Sequence, residues 1–226
     1  KIKGIAGRAK MSTACTERGL GEGEDTPHAY SGVNTFAHEL AHTLGSDHDE
    51  TPQCPWEDGY LMSYVDGGLR KYKLSQCSQN SIRQYVGRLS DKCISVLSRQ
   101  NYMKGRNKYP GQTIRKNYYC RRLMQKRAKG QKIIVQKAAD CDIKCCRMGD
   151  GYMSCATYKM LDGMACAQGK ESSSSTLASF IFKHLDGPSA MVKSCFRWLR
   201  FLHLWCIVSQ QYGVHFEALR FKLECC

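Results

Sequence analysis

The stretch His38-Glu39-Leu40-Ala41-His42-Thr43-Leu44-Gly45-Ser46-Asp47-His48 constrains this chain more than any other. Val33, Phe36, Ala37, Leu40, Ala41 and Leu44 recur at helical spacing, with Asn34 near the start and Gly45 as the stop, which predicts a helix over 33–44. His38 and His42 stand four residues apart, so both imidazoles leave one helix face, close enough to share a metal ion. Gly45 permits the sharp bend that brings His48 back as a third ligand. Three neutral imidazoles leave the fourth position of a tetrahedral Zn²⁺ open, as hydrolytic sites require. Glu39, beside the first ligand, is placed to take a proton from water instead of binding the metal. Two histidines and a glutamate alone also fit an ordinary helix with exposed side chains. The glycine and third histidine at fixed offsets make that coincidence improbable.

Cysteine sets the compartment. The 226 residues include 14 Cys, about one in sixteen, which reads as a disulfide framework from an oxidising environment, with metal binding open for some of them. The longest apolar runs, such as 201–208, fall short of the roughly 20 residues of a membrane span. The chain begins at Lys1 without a signal-peptide pattern, which reads as a mature or truncated product.

The net charge of +14 is concentrated. Residues 94–139 hold 13 basic and no acidic side chains, whereas residues 1–93 hold 11 basic and 12 acidic. Such a segment (Lys104, Arg106, Lys108, Arg115, Lys116, Arg121, Arg122, Lys126, Arg127, Lys129) would concentrate heparin-like polyanions, or serve as a solvated linker. Tyr118–Tyr119 gives too little aromatic interleaving for base stacking, so nucleic acid is not expected.

Elsewhere the pattern predicts a short strand over Ile2–Ala6, an irregular stretch to Cys15, a Gly- and acid-rich loop over Gly19–Asp25 and an extended piece over His28–Gly32. Pro52, Pro55 and Gly67–Gly68 mark residues 46–73 as loop and turns. Ser75 caps a second helix through Ile82, Val86 and Leu89. A Cys-dense, loop-rich module spans about Cys120–Cys166, and a serine run covers 172–175. No internal repeat and no Asn-X-Ser/Thr sequon is found.

The long histidine pattern, with Tyr60-Leu61-Met62-Ser63-Tyr64 downstream, resembles the metzincin zinc peptidases, in which a methionine turn underlies the metal; Met62 is the matching position. Asp49 after His48 looks like the adamalysin (reprolysin) branch. Gly21–His28 and the helix that follows are similar to reprolysin-like metalloproteases of tick saliva, relatives of the ADAMTS enzymes. Lys73–Ser78 resembles the approach to the last catalytic-domain helix, and the resemblance implies disulfides Cys54–Cys77 and Cys15–Cys93. Tyr109-Pro110-Gly111, Cys120, Cys141, Cys145, Cys146, Cys155 and Leu161–Cys166 are similar to an ADAMTS-type disintegrin-like or cysteine-rich module.

The resemblance implies an α+β fold, with the C-terminal part of a metzincin catalytic domain at 1–97, a basic linker at 98–119, a disulfide-rich, loop-rich module at 120–170 and a divergent tail at 171–226. The tail reads as an extension or an out-of-frame readthrough, with the second favoured, and its pattern supports neither helix nor strand. In the family most of the catalytic domain precedes the zinc helix, whereas here 37 residues do. The function implied is a secreted, extracellular zinc metalloendopeptidase: Zn²⁺ on His38, His42 and His48, Glu39 as general base, Met62 as floor, and matrix or clotting proteins as substrates. The rival reading is a catalytically inert fragment that binds sulfated glycans or a cell-surface receptor. Glu22, Glu24 and Asp25 offer carboxylates for Ca²⁺ or form a solvated acidic loop. Met148-Gly149-Asp150 matches a tripeptide of integrin-binding loops and also suits a plain turn. His28 reads as a loop histidine, and His184, His203 and His215 form no site.

Overall fold

The structure, a computed structural model, describes residues 6–26, 29–94, 109–124, 130–139, 141–149, 151–167, 170–171 and 219–222. The chain divides into two compact units, Lys1–Lys104 with Ser175–Cys226, and Gly105–Ser174.

In the first unit, β1 (Gly7–Ala9) pairs antiparallel with β2 (Leu20–Gly23), Gly7 opposite Gly23 and Ala9 opposite Gly21. The loop expected over Gly19–Asp25 is therefore largely strand. Close packing accounts for the glycine at the paired positions 7 and 23: a Cβ on Gly7 or Gly23 would lie 2.8 or 2.7 Å from Thr35 Cγ2 on the following helix. The expected strand Ile2–Ala6 lies outside the described residues except for Ala6, and the pairing is found just beyond it.

Helix α1 (Ser31–Thr43) starts two residues before the apolar pattern begins. Tyr30 sits at φ 55°, and the Asp25 carboxylate accepts the Gly32 N–H at 2.6 Å, holding an orphan donor of the first turn. Ser31 and Gly32, expected in an extended piece, are thereby helical; His28 lies outside the described residues. At the far end Gly45, at φ 97°, donates its N–H to the His42 carbonyl and Ser46 donates to Ala41, which closes the helix.

The 3-10 turns Trp56–Asp58 and Gly68–Tyr72 bracket the methionine segment. Helix α2 (Gln76–Val86) begins at Ser75, whose hydroxyl accepts the Ser78 N–H at 3.1 Å; it stops before Leu89, and α3 (Asp91–Ile94) carries Cys93. Ala37, Leu40, Ala41 and Leu44 of the α1 stripe pack with Leu61, Met62, Leu74 and Ile82 into one buried cluster. Burying each of the larger side chains stabilises the fold by about 1.5–3 kcal/mol. Cys15 is bonded to Cys93 and Cys54 to Cys77, closing spans of 78 and 23 residues. In the chain-entropy account these contribute about 4 and 3 kcal/mol.

The second unit holds two short helices, α4 (Pro110–Thr113) and α5 (Lys116–Leu123), and strands β3 (Ile133–Lys137), β4 (Asp142–Met148) and β5 (Met153–Lys159) in one antiparallel sheet. A two-stranded ribbon follows, β6 (Ala165–Ala167) with β7 (Lys170–Glu171). Adjacent Cys145 and Cys146 take different partners, as alternation along a strand requires: Cys145 bonds Cys120 on α5, and Cys146 bonds Cys155 directly across on β5. Cys141 bonds Cys166.

From the tail, β8 (Leu219–Lys222) adds to the free side of β2, Leu219 opposite Gly23. Its Leu-Arg-Phe-Lys alternation is a strand pattern four residues long, too brief to stand out in the sequence of the tail. Among the described residues no helix is long and apolar enough to cross a membrane.

Candidate metal centre

Helix α1 sets His38 and His42 one turn apart, and the turn at Gly45 returns the chain so that His48 faces both. A Cβ on Gly45 would stand 2.7 Å from Tyr85 Cβ, so the bend needs glycine for space as well as for its φ. His48 Nε2 lies 3.1 Å from His38 Nε2 and 3.2 Å from His42 Nε2. Two nitrogens bound to one tetrahedral ion, each at about 2.1 Å, stand about 3.4 Å apart, so the observed spacing is that of a metal-ligand set. Among the described residues no other group of three His, Cys, Asp or Glu side chains converges in this way, and Glu22, Glu24 and Asp25 do not.

The opposite ring nitrogens fix the tautomers. His38 Nδ1 donates to the Leu61 carbonyl at 2.7 Å and His42 Nδ1 to the Ser46 carbonyl at 2.8 Å. Each leaves an Nε2 lone pair aimed at the shared point, the arrangement that orients imidazole for a metal. His48 Nδ1 meets the Tyr64 hydroxyl at 3.0 Å. Burial drives the His38 pKa down to about 4 against the opposing Leu61 hydrogen bond, with the neighbouring imidazoles adding to the fall. Burial lowers His42 as well. Both rings are neutral at neutral pH, the form that binds metal.

Glu39 sits on the adjacent position of α1 and is buried at 5 % exposure. Its carboxylate packs against the backbone of β1, where a Cβ on Gly7 would come within 2.5 Å of Oε1. Desolvation raises its pKa to about 7, the range suited to a group that takes and returns a proton near neutrality.

Met62 is fully buried among the α1 side chains. Its carbonyl accepts the Asp49 N–H at 2.9 Å, while the carbonyl of neighbouring Leu61 holds His38. The methionine segment is thus tied to the first ligand and to the residue after the third. Asp49, itself buried, accepts from Ser75 Oγ at 2.5 Å and Ser78 Oγ at 3.2 Å, so α2 is fastened to the same loop; desolvation raises its pKa against these bonds.

Sequence reasoning missed Tyr64, Glu50 and the helix-capping role of Asp25. Tyr64 lies at the end of the methionine segment, but its partners across the loop carry no sequence signal. Asp150 and the histidines of the tail lie outside the described residues.

A returning histidine over a helix-borne pair, with a buried methionine turn tied to the first ligand and to the residue after the third, is the arrangement the resemblance to metzincin zinc peptidases implies. Residues 1–97 match the family model "Reprolysin (M12B) family zinc metalloprotease", so this part of the chain is similar to that family. Over 189 residues the chain is 26% identical to "A disintegrin and metalloproteinase with thrombospondin motifs like" of Bombyx mori, covering 74% of this chain and 26% of that protein. It is 40% identical over 68 residues to "Venom metalloproteinase BumaMPs1" of Olivierus martensii, covering 29% of this chain and 17% of that protein. The chain thus spans about a quarter or less of the curated relatives it matches.

Proposed function

We propose that this chain acts as a zinc-dependent endopeptidase on extracellular proteins, with His38, His42 and His48 holding the metal. The observation that carries the reading is the convergence of three Nε2 atoms whose Nδ1 atoms are each engaged in a hydrogen bond. Zinc bound there supplies Lewis acidity, polarising the scissile carbonyl and acidifying water. Glu39, raised to about 7 by burial, takes the proton of the attacking water and returns it to the leaving amine. Met62 floors the site through the backbone ties of its own segment.

Five disulfides among the described residues support work in an oxidising, extracellular setting. Matrix proteins, fibrin and fibrinogen are the substrates we propose, on the family resemblance. Arg115, Arg121 and Lys137, all exposed in the second unit, support a role in holding heparin-like polyanions.

The test is cleavage of gelatin and fibrinogen by the oxidatively folded chain with zinc, beside its Glu39→Ala variant. Cleavage by the parent alone, abolished by a chelator, is expected. A folded, zinc-loaded parent that cleaves nothing, while showing salt-sensitive heparin retention, would replace the peptidase reading with that of a binding fragment.

A further inference from the structure

The three histidines are not supported alike. His38 and His42 give their Nδ1 protons to main-chain carbonyls, which no substitution removes. His48 meets side chains: its Nδ1 stands 3.0 Å from Tyr64 Oη, and Tyr64 Oη contacts Glu50 Oε1. Tyr64 Oη donates its single hydroxyl proton to Glu50 Oε1. The phenol oxygen then accepts from His48 Nδ1–H, leaving the Nε2 lone pair directed at His38 and His42. The Tyr64 ring also lies beside the imidazole, with centroids 4.7 Å apart, which restricts rotation of the His48 ring. Both partners come from the segments flanking the ligand, Glu50 two residues beyond it and Tyr64 two beyond Met62.

From this chain of contacts, and resting on the zinc-site reading above, we infer that Tyr64 and Glu50 are positioning residues that fix the tautomer and orientation of the third metal ligand. Tyr64 is not itself a ligand here: its hydroxyl stands at the ring nitrogen opposite the one that faces the other two imidazoles. The relay works in one direction, Glu50 holding Tyr64 and Tyr64 holding His48. Hydrogen-bond partners of metal-bound histidine typically change metal affinity by about 10–100-fold when removed. The loss should fall on metal affinity even without a substrate present.

The test is zinc affinity of the full chain by equilibrium competition with a chromophoric chelator, for the parent, Tyr64→Phe, Glu50→Ala and the double variant. Tyr64→Phe should weaken zinc by about 10-fold or more, with the far-ultraviolet spectrum and the metal-free unfolding midpoint unchanged. Glu50→Ala should weaken it by about 3-fold or more in the parent and by less than about 2-fold when Tyr64→Phe is already present, the non-additivity of residues acting in series. Zinc affinity of Tyr64→Phe within about 2-fold of the parent, or fully additive losses, would overturn the relay while leaving the zinc site standing. A parent that binds no zinc would overturn both readings. Copper(II) loading provides the second readout: a phenolate-to-metal charge-transfer band in the parent would make Tyr64 a direct ligand and overturn the inference.

Discussion

The backbone N–H of Asp49 donates to the carbonyl of Met62 at 2.9 Å, so the residue following the third histidine is fastened to the methionine turn. Through its carboxylate the same residue holds Ser75 and Ser78 at the start of α2. Asp49→Ala should strand a buried hydroxyl and cost about 2 kcal/mol of stability. Asp49→Asn keeps an acceptor oxygen and no longer buries a charge, so it should cost less than half as much. Denaturant unfolding of the two variants checks the order; equal losses would show that the serines are not held by the carboxylate.

Gly7 sets the room available to Glu39. A Cβ there would meet Glu39 Oε1 at 2.5 Å and Cγ at 2.8 Å, with Thr35 Cγ2 also at 2.8 Å. Gly7→Ala should displace the carboxylate, lowering cleavage about 10-fold or more and stability by about 1–3 kcal/mol. Zinc affinity should hold within about 2-fold, because the imidazoles are anchored elsewhere. Cleavage rates and zinc titration of the same preparation separate the two effects.

In metal-free protein, burial of Glu39 and His38 gives opposite pH responses. Glu39 titrates near 7 when folded against 4.5 as the ordinary value, so the native state binds the extra proton and stability falls as pH rises through that window. His38 titrates near 4 when folded against 6.5, so the unfolded state binds more protons and stability is lost as pH falls from 6.5 toward 4. Each effect amounts to at most about 3 kcal/mol, and they oppose one another between 4.5 and 6.5. The Glu39→Gln variant should therefore gain stability steadily as pH rises to 6.5, and more steeply than the parent. Unfolding midpoints measured with a chelator from pH 4.5 to 7.5 check this; parallel curves would rule it out.

Opening the Cys54–Cys77 bridge by changing both to Ala should lower stability by about 3 kcal/mol. Because that bridge spans the methionine segment, zinc affinity should fall with it, and amide exchange should accelerate at Leu61 and Met62. Exchange rates unchanged at those amides would assign the bridge to global stability alone.

The centre was legible because its information is local. Helical spacing places His38 and His42, one glycine turns the chain, and Ser75 caps α2 as its hydroxyl chemistry predicts. What escaped depends on contacts between segments. Leu20–Gly23 is strand because Gly7 and Gly23 lie against Thr35, and glycine read alone signals a loop. β3, β4 and β5 form a sheet inside a segment whose cysteine density suggested loops, since cysteines at 145 and 146 interrupt the apolar alternation that marks a strand. The link from Glu50 through Tyr64 to His48 joins two irregular segments and has no periodicity to betray it.

The two bridges of the first unit are nested, Cys54–Cys77 inside Cys15–Cys93. A peptide bond cut once anywhere between residues 15 and 93 leaves the two pieces covalently joined, and a cut between 54 and 77 leaves them joined twice. Proteolytic nicking in that stretch is therefore survivable: a nicked molecule keeps its three imidazoles on one connected body. The nick would be invisible by mass under electrophoresis until a reductant separates the halves.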